Sequence, residues 1–199
     1  MSWDKTWEKV FSSKEWGKYP PEVLVRFVAR NYYAAPDRSK IKILDLGCGT
    51  GAATWYMARE GFSVVGIDGS KTAIKIARRR FKAEKLKADF KIGDIVKLDW
   101  PDNYFDSVTD IASIQSNSYQ NIKKIMGEVY RVLKPGGKFF GTMIAEEKNM
   151  HWILMEHFFK LAEIKQLFLP FRDLKVDYSK RTMDNRRAIT KLWCVEATK

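Results

Sequence analysis

Nine residues, Ile43-Leu44-Asp45-Leu46-Gly47-Cys48-Gly49-Thr50-Gly51, constrain the fold more than any other stretch of the chain. An apolar run, Ile41 to Leu46, ends in alternating glycines and passes into Thr50 to Arg59, so the segment reads as strand, tight loop and helix. The glycines allow a sharp turn and close approach of a ligand, and the following helix offers free N–H groups at its start. Units of this kind build parallel sheets covered by helices.

The pattern repeats downstream. Phe62 to Ile67 reads as a strand, Ser70 as the N-cap of a helix through Phe81, and Ala88 to Ile92 as a third strand. After the turn at Pro101-Asp102-Asn103 come a strand at Phe105 to Ile111, a helix at Asn121 to Leu133 and a strand at Lys138 to Ile144. Pro135-Gly136-Gly137 separates the last two. Upstream, Val23, Leu24, Phe27 and Val28 give Pro21 to Tyr33 a helical spacing. At the C-terminal end, His151 to Leu169 reads as helix. Arg172 to Arg181 and Ala188 to Ala197, separated by Met183-Asp184-Asn185, read as antiparallel neighbours. The fold class is therefore α/β. A length of 199 residues fits a single domain over 1–199: an N-terminal lid and helix (1–34), a core (41–145), and a C-terminal helix and hairpin (150–199).

Composition narrows the class. Cys48 and Cys194 match no metal or disulfide spacing. No signal segment opens the chain and no run of about 18 apolar residues occurs, so a cytoplasmic protein without membrane insertion is expected. The formal charge of +12 favours anionic partners. Much of it lies between Lys71 and Lys91, where the simplest reading is a solvated helix face.

Three acids follow three strands. Asp45 stands two residues before the first glycine of a G-x-G-x-G loop, where it would repel a pyrophosphate and suit a cationic ligand end. Asp68, in Gly66-Ile67-Asp68-Gly69-Ser70, is placed to accept ribose hydroxyls. Asp94, in Gly93-Asp94-Ile95, is placed to accept from an adenine amino group while Ile95 packs on the ring. Together they suit a ligand with ammonium, ribose and adenine in sequence, and argue against a dinucleotide.

ILDLGCGTG, GIDGS, GDI, FDSVTD and EVYRVLKPGGKFF, in this order, resemble the class I S-adenosylmethionine-dependent methyltransferases, and the likeness runs from about Ile41 to Lys199. The resemblance implies a three-layer Rossmann-like sandwich with a seven-stranded, mostly parallel sheet whose last strand is antiparallel. It implies S-adenosylmethionine as cofactor and S-adenosylhomocysteine as product. Asp45, Gly47 and Gly49 would surround the methionine part, Asp68 would bind the ribose, and Asp94 with Ile95 the adenine, with Asp110 and Ile111 near the methyl group; Gly69 is a further cofactor-binding candidate.

Methyl transfer from a sulfonium is an in-line displacement, so alignment and water exclusion are the main tasks. The catalytic residue is unassigned: His151 and His157 are the imidazole candidates for a base, with a capping or surface role favoured for His151. Asp110, Glu146, Glu147 and Asn149 loosely resemble the magnesium-binding acids of the catechol-type branch, and no metal is expected. Cys48 is read as a packing residue. Asp110-Ile111-Ala112-Ser113 lacks the Pro-Pro-Tyr segment of nucleobase and glutamine methylation. The expected acceptor is a small molecule, and the excess charge adds anionic acceptors to the candidates. The aromatic segment with Trp3, Trp7, Trp16 and Tyr19 would act either as a lid, with Tyr19 against the cofactor, or as a clasp on the core. An RNA or protein methyltransferase using Lys71 to Lys91, and a noncatalytic cofactor-binding module, are the alternatives.

Overall fold

The computed structural model describes residues 5–13, 16–145, 157–183 and 188–199. Its elements run α1 (Thr6–Ser13), α2 (Glu22–Tyr32), β1 (Lys42–Leu46), α3 (Ala52–Arg59), β2 (Ser63–Asp68), α4 (Lys71–Ala83), β3 (Asp89–Ile92), β4 (Phe105–Ile111), α5 (Tyr119–Val132), β5 (Leu133–Ile144), α6 (Leu161–Leu167), β6 (Arg172–Met183) and β7 (Ala188–Thr198). One seven-stranded sheet has the order β3-β2-β1-β4-β5-β7-β6. β7 runs antiparallel to both β5 and β6, while the pairs among β1 to β5 are parallel. The expected sheet, with its antiparallel last strand, is the one observed.

Alternation along β1 divides the core. Leu44 and Leu46 join Val108, with Ile122, Ile125 and Val129 of α5 and Ile164 of α6, in one buried layer. Ile43 joins Val64 and Phe140 beneath Leu24, Phe27 and Val28 of α2 and Met57 of α3. Each such fully buried aliphatic or aromatic side chain contributes about 1.5 to 3 kcal/mol relative to exposure. The apolar spacing read in Pro21 to Tyr33 is the inner stripe of α2.

Two expectations need correction. The helix expected from His151 to Leu169 is α6 alone, Leu161–Leu167, within the described residues; 151–156 lie outside them. Phe159 is instead extended, bridging Ala145, and its N–H donates to Ile144 O at 2.9 Å. Its ring is fully buried. α6 begins only after its N-cap Lys160, whose N–H donates to Glu163 Oε2 at 2.8 Å. Pro135-Gly136-Gly137 lies inside β5 rather than before it. Leu133 already pairs with Phe105, and the register shifts before Ser107 meets Lys138, so these residues form an irregularity in the strand.

Strand order reverses between β1 and β4, both flanked on their other sides by β2 and β5. In an open α/β sheet the crevice outside the carboxyl ends of such strands is where ligands bind. Asp45, Asp68 and Asp110 all stand at these ends.

Candidate active site

A cleft of about 540 Å³ opens at that switch point. Its floor is the glycine loop. Gly47 and Gly49 have φ of +55° and +53°, in the left-handed region that favours glycine. The loop is fastened by Asp68: Gly49 N–H donates to Oδ2 and Ser70 N–H to Oδ1, each at 2.8 Å. Burial raises the Asp68 pKa against these two N–H donors, and the nearby Glu8 carboxylate adds to the rise.

Asp45 is buried under the loop, where Thr54 Oγ1 donates to its Oδ2 at 2.6 Å and Thr109 Oγ1 lies 3.3 Å from its Oδ1. Burial pushes its pKa up to about 6, with the two threonine hydroxyls opposing. A desolvated carboxylate gains most from a nearby cation, so both acids fit a ligand with a cationic end and would oppose a pyrophosphate. Among the described lining residues, Asp45 and Asp68 are the charged ones.

Asp94 and Asp110 are not among the residues that line the cleft. Gly93 and Ile95 line the cleft, whereas Asp94 Oδ1 accepts the Val96 N–H at 3.1 Å. Ile111, Ala112 and Ser113 line it likewise, while the fully buried Asp110 folds back on its own exit turn. Its Oδ1 accepts Ser113 N–H at 3.2 Å and Ile114 N–H at 3.1 Å, and contacts Ser113 Oγ; among the described residues its buried Oδ2 has no partner. Burial pushes the Asp110 pKa up to about 7, opposed by the Ser113 and Ile114 donors. These bonds hold a turn in which Ala112 has a φ of +62°. They also press Ser113 onto the glycine loop, so a Cβ at Gly47 would fall 2.3 Å from Ser113 Cβ.

The aromatic segment roofs the cleft. Trp7, Phe11 and Trp16 form a cluster with ring centroids 5.6 to 5.9 Å apart. Phe11 Cζ lies 3.3 Å from where a Gly49 Cβ would be. Tyr19 and Gly69 line the cleft too; Tyr19 is 73% exposed and meets Trp55 edge-on. Trp3 lies outside the described residues. α4 has no acid in its first turn, and Glu8 of α1 supplies one from outside. Glu8 Oε1 accepts Thr72 N–H at 3.2 Å and Thr72 Oγ1 at 2.5 Å, and Oε2 accepts Ser70 Oγ at 2.6 Å. The roof is thereby tied to the helix that follows Asp68. Sequence reading missed Glu8 because nothing local marks a partner more than sixty positions away.

It also missed the short 3₁₀ turn Ile114–Ser116 after β4. Gln115 and Asn117 from this region line the far end of the cleft with Ile111, Ile144 and Leu192. Gln115 Oε1 accepts Ile144 N–H at 2.6 Å, and Asn117 Nδ2 donates to Ile114 O at 3.1 Å, so both amides are held in place. Among the described residues no Lys, Arg or His lines the cleft. His157 is packed against Tyr119 and Phe159 instead, and His151, Glu146, Glu147 and Asn149 lie outside the described residues. Among the described residues, no group of three or more His, Cys, Asp or Glu is placed to hold a metal ion. Cys48 is buried against Ile74, Ala77 and Phe90, and burial with Asp45 and Asp68 nearby raises its thiol pKa well above the usual range. That is the environment of a packing residue.

A family model described as a methyltransferase domain matches residues 43–137. A demethylmenaquinone methyltransferase of Leptospira interrogans is 31% identical over 165 residues, covering 79% of this chain and 62% of that protein. Phosphoethanolamine N-methyltransferase 3 of Arabidopsis thaliana is 38% identical over 103 residues, 51% of this chain and 20% of that protein. The chain thus spans less than two thirds of the length of these relatives. Among solved structures, a phosphoethanolamine N-methyltransferase 2 of Haemonchus contortus, in complex with phosphomonomethylethanolamine and S-adenosylhomocysteine, superposes with a TM-score of 0.73 at 19% identity. That match covers 98% of this chain and 56% of the other. With the glycine loop, the strand-end acids and the sheet order in place, the chain belongs to the class I S-adenosylmethionine-dependent methyltransferase family.

Proposed function

We propose that this chain is an enzyme that transfers a methyl group from S-adenosylmethionine directly to an uncharged, largely apolar small molecule. The observation that carries the reading is the polarity of the cleft. Its acids, Asp45 and Asp68, lie at the glycine-loop end, and its other end is formed by Ile111, Ile144, Leu192 and the neutral amides Gln115 and Asn117. An anionic acceptor would meet no cation among the described lining residues. A relative that aligns over 79% of this chain is named for demethylmenaquinone.

When bound, S-adenosylmethionine supplies a methyl group already activated by its sulfonium. In this reading Asp45 attracts the cationic end, Asp68 takes the ribose hydroxyls with the lone pairs left by its two backbone donors, and Ile95 packs on the adenine. Trp7, Phe11 and Trp16 exclude water, which is a main requirement of an in-line displacement. Trp7, Phe11, Trp16 and Tyr19 serve as the lid, and α2 as the helix that follows it, in a single domain over 1–199. Gln115 and Asn117 orient the acceptor. The described lining residues offer no imidazole or amine as base, which suits an acceptor whose proton leaves to solvent.

The test is incubation with methyl-labelled S-adenosylmethionine and a fractionated cell extract. Label in solvent-extractable small molecules is expected. Label confined to RNA or protein would overturn the acceptor class, and cofactor binding without transfer to any fraction would make the chain a binding module.

A further inference from the structure

The chain carries a net charge of +12, and no cation is found among the described residues that line the cleft. A concentrated part of it lies on the outer face of α4. Lys71, Lys75, Arg78, Arg79 and Lys82 are exposed at helical spacing along that face. Lys75, Arg78, Arg79 and Lys82 also border a shallow groove with the half-buried Ile76 between them. The ion pairs formed on α4 use Arg80, with Glu84. Among the described residues no carboxylate pairs with the five outer cations. Like charges four apart on a helix oppose its formation, and cations in the first turn oppose the helix dipole. The stripe is thus maintained against its own helix.

Arg80, on the flank of α4 turned toward α3, ties this helix to the mouth of the cleft. Arg80 Nη1 donates to Lys18 O at 2.7 Å, and the Arg80 guanidinium stacks 4.5 Å from the Trp55 ring that Tyr19 touches. Tyr19 and Trp16, 73% and 41% exposed, line the cleft from this side. Glu8 fixes the rest of the aromatic roof to the start of α4. Clustered Lys and Arg beside exposed Trp and Tyr is the surface chemistry of interfacial membrane binding: cations meet anionic headgroups, and amphipathic rings sit at headgroup depth.

We propose that the outer face of α4, with the Trp16–Tyr19 segment, docks this protein on an anionic phospholipid bilayer and turns the cleft mouth toward it. The proposal rests on the reading of the acceptor as apolar, since such an acceptor concentrates in the bilayer and would enter beside Trp16 and Tyr19. Among the described residues no helix is long and apolar enough to cross a membrane, so this contact is peripheral.

The experiment is co-sedimentation of the full chain with vesicles of phosphatidylcholine alone or mixed with phosphatidylglycerol, beside the triple variant Lys75→Gln, Arg79→Gln, Lys82→Gln. Binding to the phosphatidylglycerol vesicles alone is expected, weakening as salt shortens the screening length. The triple variant should partition more weakly by about tenfold or more. Equal partitioning of both proteins, or no binding to either vesicle, overturns the proposal. So does tighter binding to an RNA duplex than to the vesicles at matched phosphate, if the same variant loses it. Stabilisation by S-adenosylhomocysteine, measured on both proteins without vesicles, reports the cofactor reading separately: retained stabilisation with failed vesicle binding removes only the docking surface.

Discussion

Asp68 and Gly49 are joined by a 2.8 Å hydrogen bond from the loop N–H to the carboxylate, linking the end of β2 to the glycine turn after β1. The acid therefore has a structural duty alongside the ribose contact proposed for it. Asp68→Ala should lose both. We expect apo stability to fall by about 1 to 3 kcal/mol, from two buried N–H groups left without an acceptor, and S-adenosylhomocysteine affinity to fall by at least about tenfold. Urea unfolding and calorimetric titration check the two effects. Unchanged stability would show that the Gly49 and Ser70 bonds do not hold the loop.

Glycine positions differ in what a side chain would cost. At Gly61, φ is +88° and nothing lies within 4 Å, so Gly61→Ala pays backbone strain alone, about 1 to 2 kcal/mol. At Gly47 the same strain is joined by a clash with Ser113 Cβ at 2.3 Å. Gly47→Ala should cost more than Gly61→Ala by about 1 kcal/mol or more and should also weaken cofactor binding. Equal costs in denaturant unfolding would mean that the Ser113 contact yields freely.

The inward-turned Asp110, with its pKa pushed up to about 7, links stability to pH. The folded state holds this proton more tightly than the unfolded chain, whose carboxyl titrates near 4. Its stabilising contribution is therefore present below pH about 4 and is lost as pH rises toward about 7. Asp45, raised to about 6, acts in the same direction. Asp110→Asn should flatten the fall in melting temperature between pH 5 and pH 8 and leave the variant more stable than the parent at pH 8, by about 1 to 3 kcal/mol. Parallel pH profiles for the two proteins would contradict this.

Glu8 caps α4 across more than sixty residues of sequence, and its hydrogen bonds to Ser70 and Thr72 lower its pKa. A lowered carboxylate pKa gives stability above the unfolded value that is lost as pH falls through the folded one. Glu8→Ala should cost about 1 kcal/mol, as loss of a helix cap does, and should speed amide exchange in residues 6–13 relative to the core. Exchange in α1 as slow as in the parent would mean that the aromatic cluster alone holds the roof.

What the sequence disclosed follows a physical division. Asp45, Gly47, Gly49 and Asp68 were legible because strand ends and glycine spacing are local, and the structure gathers them at one cleft. The position of Asp110 on its strand was legible too. Its direction was not, since the carboxylate turns back on Ser113 and Ile114 through a turn that needs a positive φ at Ala112. Likewise nothing in the spacing of His151 to Leu169 distinguishes a helix-core Phe159 from one bridging Ala145. Glu8, Gln115 and Asn117 owe their places to tertiary contacts with no periodic trace.

The central claim is a cleft built for a cationic adenosyl ligand, and thermal-shift titration of the apo chain with S-adenosylhomocysteine and with NAD tests it most directly. A ligand that binds only the native state raises the melting temperature as its concentration passes Kd. The account predicts a concentration-dependent rise with S-adenosylhomocysteine and none with NAD. A rise with NAD and none with S-adenosylhomocysteine would contradict it.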